Sequence, residues 1–188
     1  MNGYADGAAF LAWVSQHYNI PDLTAKLSRR AMREPFSYAW FKSETGYAVN
    51  ELWHAMSGVR LSLPAQLNNR GSCARTVRDP PDDPTHPLPI LELGPCDPYE
   101  HNTFVYELSA KRLHLAALCV GTTEQHEVLY AFCDSSAGQQ WDYRNYGWRN
   151  VKTDRCLQPR AGGSEEGTPL VTAPCDGSAP QKWNYLSF

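Results

Sequence analysis

Gln139-Gln140-Trp141 and Gln181-Lys182-Trp183 are two copies of one tripeptide: an amide, any residue, then tryptophan. Asn102-Thr103-Phe104 is a third, altered copy. The aromatics Phe104, Trp141 and Trp183 each stand eight residues after a cysteine, namely Cys96, Cys133 and Cys175, and recur at intervals of 37 and 42 residues. A tyrosine follows each aromatic by two positions: Tyr106, Tyr143 and Tyr185. Recurrence on this scale marks units too small to close a core alone. Three such units packed about a pseudo-three-fold axis can share one core. The aromatics would point into it. The amides Asn102, Gln139 and Gln181, two residues earlier on the same side of a strand, would satisfy buried backbone groups where repeats meet.

The cysteines keep the same phase. Cys73, Cys96, Cys119, Cys133, Cys156 and Cys175 all lie in the repeat segment, and no two are spaced C-x-x-C. That disfavours zinc-ribbon and thioredoxin-like readings and favours disulfides, hence an oxidising compartment. Many connectivities are possible for six cysteines. The repeat selects pairing in sequence order, Cys73–Cys96, Cys119–Cys133 and Cys156–Cys175, with separations of 23, 14 and 19 residues. Bridges over such loops stabilise by roughly 2–4 kcal/mol each on the loop-entropy model. The runs Leu88 to Leu93, Glu127 to Phe132 and Thr168 to Thr172 are short, mostly apolar and separated by Gly, Pro, Asp and Ser clusters. They read as strands leading into the second cysteines, and the class as mainly β.

Composition excludes several function classes. Of the 188 residues 42% are apolar and 20% charged, which is too apolar for disorder and too weakly charged for a coiled coil. A net charge of −3 offers no basic field for nucleic acid or an anionic membrane. No apolar run reaches the length of a bilayer span. Ala8 to Val14 lacks a basic flank and a small-residue cleavage site, so it does not read as a signal peptide.

Paired cysteines, an apolar strand and then Q-x-W, three times over, resemble the ricin-B type (R-type) lectin domain, a β-trefoil, across residues 57–188. Residues 1–56 read as helical. Phe10, Trp13, Val14 and Tyr18 are spaced as one helix face with Asp6 as N-cap, ending at Asn19-Ile20-Pro21. A second helix from Pro21 would carry Leu23, Leu27 and Ala31 on one face. Phe36 to Phe41 reads as a last helical turn and Ser43 to Gly46 as a polar turn. These residues are too few for an independent core.

The order of these pieces resembles the C-terminal end of a polypeptide N-acetylgalactosaminyltransferase. There a helix opening M-D-E-Y, a D-I near R and L residues, and a P-F-S-W-Y-L-type segment lead into a ricin-B type domain. This chain reads Met1-Asn2-Gly3-Tyr4, then Asp22-Leu23 with Leu27, Arg29 and Arg30, then Pro35-Phe36-Ser37-Tyr38-Ala39-Trp40. The resemblance implies mucin-type O-glycosylation, a Golgi or secreted location, an upstream catalytic domain, and manganese with a UDP-sugar bound by that domain. No D-x-H occurs here, since Asp83-Pro84-Thr85-His86 has the wrong spacing. Met1 would then be internal to a longer enzyme, and this chain would carry no catalytic residue or cofactor of its own.

The resemblance also implies where sugar would bind. An Asp two residues after the first cysteine accepts from hydroxyls, an aromatic before the second cysteine stacks on the ring, and an Asn precedes the Q of Q-x-W. This chain departs from all three. The Asp position holds Arg75, Gly121 and Gln158, the aromatic position Gly94, Ala131 and Ala173, and the Asn position His101, Gly138 and Pro180. Neighbouring candidates are Asp97, Tyr99 and His101 in the first repeat, Tyr130 and Asp134 in the second, and Gln158 and Asp176 in the third. Of these the first repeat is the favoured site, and N-acetylgalactosamine or glycopeptides bearing it are the expected partners. Two other readings stand beside this one: a stand-alone R-type lectin or toxin-targeting subunit, and a structural or protein-interaction trefoil without sugar binding.

Other clusters read as structural. Asp79 to Pro84 is a stiff acidic loop without EF-hand spacing. The six histidines show no i, i+4 pair, so no metal site is expected. Peptide mapping without reduction is expected to return the three sequential disulfides; a crossed link would remove both the repeat argument and the compartment inference.

Overall fold

The structure, a computed structural model, describes residues 3–76, 89–96, 102–115 and 118–187. It divides into two compact units, residues 1–63 and 64–187.

The first unit holds four helices: α1 (Gly3–His17), α2 (Leu23–Ala31), α3 (Ala39–Thr45) and α4 (Val49–Ser57). Phe10, Val14, Leu23, Phe41 and Leu52 form its core, with Trp13, Tyr18 and Leu27 packed at the margin. Four sequence expectations change. Of Phe36 to Phe41, expected as a helical turn, only the part from Ala39 is helical. The first helix begins at Gly3, so Asp6 lies inside it rather than at its cap. Ala31 is exposed, off the buried face of α2. Ser43 to Thr45 continue α3 instead of forming a turn, and the Ser43 and Thr45 hydroxyls donate back to the Trp40 and Phe41 carbonyls (2.8 and 2.7 Å) within it. Helix α4 was not anticipated. Its start is fixed by the Ala48 N–H donating to the Glu51 carboxylate at 2.7 Å, one arm of a capping box.

The second unit has twelve strands among the described residues, four per repeat. The first repeat contributes β1 (Ala65–Asn69), β2 (Ser72–Thr76), β3 (Leu91–Gly94) and β4 (Phe104–Glu107). The second contributes β5 (Arg112–Leu115), β6 (Leu118–Thr122), β7 (Val128–Phe132) and β8 (Trp141–Arg144). The third contributes β9 (Gly147–Asn150), β10 (Arg155–Pro159), β11 (Leu170–Pro174) and β12 (Asn184–Ser187). Antiparallel pairs β4–β5, β8–β9 and β12–β1 join one repeat to the next. Within a repeat the first and fourth strands meet through Ala65 with Phe104 and through the Trp141 N–H on the Lys111 carbonyl. The Trp183 N–H on the Tyr146 carbonyl makes the same link in the third repeat. The hairpins β2–β3, β6–β7 and β10–β11 touch in a ring through Ile90 with Leu129, Glu127 with Val171, and Glu92 with Pro169. This is a β-trefoil, as the resemblance implies, and the protein is mainly β, as the short apolar runs predict.

The shared core contains Phe104, Trp141 and Trp183, each fully buried, together with Leu67, Leu93, Leu113, Val120, Val128 and Leu157. The indole N–H of Trp141 donates to the Val120 carbonyl (2.9 Å) and that of Trp183 to the Leu157 carbonyl (3.0 Å). The three tyrosines link the repeats in a cycle. The Tyr106 hydroxyl donates to the Trp141 carbonyl (2.7 Å), Tyr143 to Trp183 (3.1 Å) and Tyr185 to Phe104 (3.1 Å). Their rings surround Trp148, with centroids 5.1, 4.5 and 6.1 Å from its own. Burial, helped by the nearby Asp142 charge, pushes the Tyr106 phenol up to about 12. It therefore remains a donor at any physiological pH.

The glutamines sit differently from expectation. Gln139 and Gln181 end one-turn 3-10 helices, Ala137–Gln139 and Ala179–Gln181, rather than sharing a strand with the tryptophan. Their amides still satisfy backbone. Gln139 Nε2 donates to the Phe132 carbonyl (2.9 Å) and its Oε1 accepts from the Asp134 N–H (2.8 Å). Gln181 repeats this with the Pro174 carbonyl (2.8 Å) and the Asp176 N–H (3.0 Å).

Phe104 occupies the same place in its repeat without an N–H donor, so packing outweighs that hydrogen bond. Trp183→Ala is expected to cost about 3–5 kcal/mol. Trp183→Phe, which mainly strands the Leu157 carbonyl, should cost about 1–3 kcal/mol. Urea unfolding of both variants checks this; equal losses would show that the hydrogen bond dominates.

Candidate functional site

Arg75, Asp134, Gln158 and Asp176 each make a contact within the trefoil, and three first-repeat candidates lie outside the described residues. Arg75 leaves the middle of β2 and meets Glu92 on β3, with Nε and Nη2 at 3.1 and 2.9 Å from Oε1. Its Nη2 also lies 3.1 Å from Glu166 of the third repeat. A cation held by two carboxylates stands where the family pattern asks for an acceptor. Gly94 makes this possible: a Cβ there would lie 2.3 Å from the Arg75 Cδ. The other first-repeat candidates, Asp97, Tyr99 and His101, lie outside the described residues, as does the acidic loop Asp79 to Pro84.

In the second repeat Gly121 lets the neighbouring amide close down. A Cβ at that position would stand 3.1 Å from Gln139 Cγ and 3.4 Å from the Gly138 carbonyl. Tyr130 is half-buried against the shared core. Asp134 accepts the Ser136 N–H at 2.7 Å, and that serine's hydrogen bonds hold its carboxyl below the usual carboxylate range.

The third repeat brings its candidates together. Gln158 Oε1 accepts from Gln181 Nε2 at 3.0 Å, while Gln181 Oε1 accepts from the N–H groups of Asp176 and Gly177 (3.0 and 3.2 Å). Asp176 accepts the Ser178 N–H at 2.8 Å, and its carboxyl is likewise held low by Ser178. Gln158 and Asp176 thus share one amide, with Asp176 exposed and Gln158 half-buried. An open groove of about 650 Å³ lies where the second repeat meets the third, beside the Cys156–Cys175 disulfide, between Asp142 and Arg144 of β8 and Arg149 and Arg155; neither Gln158 nor Asp176 lines it.

All three disulfides join the cysteines in sequence order. The turn role of the aspartates was not read from sequence, although the signal was there. Asp134 and Asp176 directly follow a cysteine and precede a serine by two positions, the pattern of an Asx turn.

Residues 67–184 match a family model described as a ricin-type beta-trefoil lectin domain. No curated protein matches the sequence. Solved structures share the fold. A non-toxic type II RIP homologue from Momordica charantia (bitter gourd), in complex with an α-methyl-D-galactoside, is 16% identical with a TM-score of 0.55, over 68% of this chain and 48% of that one. An earthworm R-type lectin C-half in complex with GalNAc is 9% identical with a TM-score of 0.58, over 68% and 100%. GalNAc-T7 with UDP, GalNAc and Mn2+ is 17% identical with a TM-score of 0.58, over 97% and 33%. The chain spans about half of the bitter gourd protein and a third of GalNAc-T7.

The lowered carboxyl values give a pH prediction with a definite sign. The stability held by Asp134 and Asp176 is present above the unfolded carboxylate pKa and lost as pH falls through the lower folded value. Thermal midpoints should therefore drop on acidification below about pH 4. The Asp134→Asn/Asp176→Asn double variant keeps an acceptor for each serine and should show a shallower drop. An unchanged acid slope would show that these turns do not titrate with folding.

Proposed function

Because the chain belongs to the ricin-type β-trefoil lectin family, we propose that residues 64–187 are a carbohydrate-binding module. We place it in the C-terminal region of a polypeptide N-acetylgalactosaminyltransferase-like protein of the Golgi lumen or secretory route. The observation that carries the transferase context is the GalNAc-T7 likeness, which takes in the helical unit as well as the trefoil and covers 97% of this chain. Three intramolecular disulfides agree with a secreted or lumenal setting. Manganese and a UDP-sugar belong, in this reading, to an upstream catalytic domain. This module would steer or stabilise that domain.

The proposed sugar contact is in the third repeat. Gln158 gives its carbonyl to Gln181, which leaves its amide N–H groups to donate to a sugar oxygen. Asp176 stands on the same glutamine with an exposed carboxylate, an acceptor for hydroxyls. Both residues also serve the fold, so the site has little binding energy in reserve. The occupied positions at Arg75 and Gly121 favour a second reading, a trefoil kept for structure or protein contacts.

Titration calorimetry with N-acetylgalactosamine and a glycopeptide bearing it separates the two. Binding is expected near the millimolar range, since a lost charge-assisted hydrogen bond is worth roughly 1.5–3 kcal/mol. Gln158→Ala should abolish it if the third repeat binds, and His101→Ala with Asp97→Ala if the first does. No heat with either ligand would favour the interaction-domain reading. Low-micromolar binding untouched by all three substitutions would sink the proposed sites. Sequencing the transcript upstream of Met1 tests the transferase context: an in-frame D-x-H supports it, and a stop codon directly upstream opposes it.

A further inference from the structure

Across the first hairpin of each repeat, the residue paired with the first cysteine is polar: Asn68 with Cys73, His114 with Cys119, Arg149 with Cys156. The three partners treat their disulfides differently. Asn68 directs its amide, a donor, at both sulfurs of its bridge, 3.2 Å from Cys96 Sγ and 3.8 Å from Cys73 Sγ. Arg149 is drawn to the Asp154 carboxylate. His114 faces both sulfurs of its bridge with Nδ1, 3.6 Å from Cys119 Sγ and 3.7 Å from Cys133 Sγ.

The other ring nitrogen fixes the tautomer. His114 Nε2 lies 3.1 Å from Glu107 Oε2, and the Ser109 hydroxyl donates to Glu107 Oε1 at 3.4 Å. A carboxylate only accepts, so the proton of the neutral ring sits on Nε2 and a lone pair on Nδ1 faces the sulfurs. A carboxylate behind a histidine is the usual support for a metal-bound imidazole. The distances fit as well. With zinc–sulfur bonds of about 2.3 Å and a zinc–nitrogen bond of about 2.0–2.1 Å, a tetrahedral site has a nitrogen-to-sulfur edge of about 3.6 Å.

We propose that reduction of the Cys119–Cys133 disulfide turns Cys119, Cys133 and His114 into a site for a thiophilic divalent cation, zinc by preference, with the fourth position open to water or an external ligand. A dithiol reductant attacks Cys133, which is exposed, while Cys119 is fully buried. The dithiol gives two electrons and two protons and leaves as its cyclic disulfide, freeing two thiols. The cation displaces both thiol protons to solvent, and two thiolates then balance its charge. The sulfurs need to part to about 3.8 Å, the sulfur-to-sulfur edge of such a site. Cys133 follows the end of β7, where the Gln139 amide holds Phe132 and Asp134 on either side of it, so the parting is taken up by rotation of the Cys119 and Cys133 side chains rather than by the backbone. The first and third repeats, with Asn68 and Arg149, lack the imidazole and serve as internal controls.

The test uses the full chain, reduced by a dithiol under native conditions, with alkylation and peptide mapping to identify the freed pair. Titration with Co2+ is expected to give one equivalent with a thiolate-to-cobalt charge-transfer band and the visible bands of tetrahedral cobalt. Zn2+ should bleach both bands and protect Cys119 and Cys133 from alkylation. His114→Asn, which installs the first repeat's residue, should weaken binding at least ten-fold, and Glu107→Gln by roughly 10–100-fold. Equal Co2+ affinity in His114→Asn, no tetrahedral bands in the reduced and still folded chain, or loss of all three disulfides together with the far-ultraviolet circular dichroism signal would each overturn the proposal.

Discussion

A tyrosine hydroxyl that reaches out of its own repeat to a carbonyl beneath the next repeat's aromatic is the contact on which this trefoil turns. Each unit of four short strands exposes one face that it cannot cover. Phe104, Trp141 and Trp183 are buried only because all three units are present. The cycle from Tyr106 to Trp141, Tyr143 to Trp183 and Tyr185 to Phe104 converts that shared burial into a fixed rotational relation. Three rings can meet at an axis, but only one side chain can stand on it. Trp148 takes that place, which is why the symmetry of the backbone is not a symmetry of the core. Among the described residues the Trp148 indole nitrogen has no hydrogen-bond partner, consistent with a residue held there by shape.

The same economy governs the surface where sugar is sought. Gln139 and Gln181 hold the loops after their cysteines, and Asp134 and Asp176 build the turns those loops begin with. A side chain that holds its own loop has fewer atoms left for a ligand. Binding and folding therefore compete for the same groups in this protein, most visibly at Gln158.

Much of this was legible in sequence because repetition is a long-range signal. Cysteine and aromatic phase point to the disulfide order and the buried aromatics without any knowledge of strand pairing, and the resemblance that the same phase carries supplies the trefoil. Local patterns were read less well. Val49, Leu52, Trp53 and Met56 have helical spacing, with Glu51 three residues after Ala48, yet the segment is short and starts on an alanine, a poor side-chain cap, so its pattern alone does not announce α4. The 3-10 turns that carry Gln139 and Gln181 are invisible in sequence, because a single turn has no periodicity to detect. His114 illustrates the hardest case. It meets Cys119 by strand register and Cys133 through the disulfide, so no spacing of histidines along the chain announces it. The three disulfides likewise look equivalent in sequence and differ only in what faces them.

Closing the barrel joins β1 to β12, and this has a consequence in time. On a ribosome making roughly 5–20 residues per second, Ala65 waits for Ser187, about 120 residues later, for roughly 6 to 24 seconds. Each disulfide, by contrast, closes within its own repeat and can form as that repeat emerges. During the wait one edge of β1 has no partner, and an unpaired strand edge invites pairing with other chains. Three of the five residues of β1, Gln66, Asn68 and Asn69, are amides, and none of the five is β-branched or aromatic, the residue types enriched in strands. Once the barrel has closed, two of the same amides are put to structural use: Asn69 donates to the Pro180 and Lys182 carbonyls, and Asn68 to the sulfur of Cys96. A strand that must remain soluble while incomplete and be specific once complete is well served by side chains that hydrogen-bond to water first and to its own chain later.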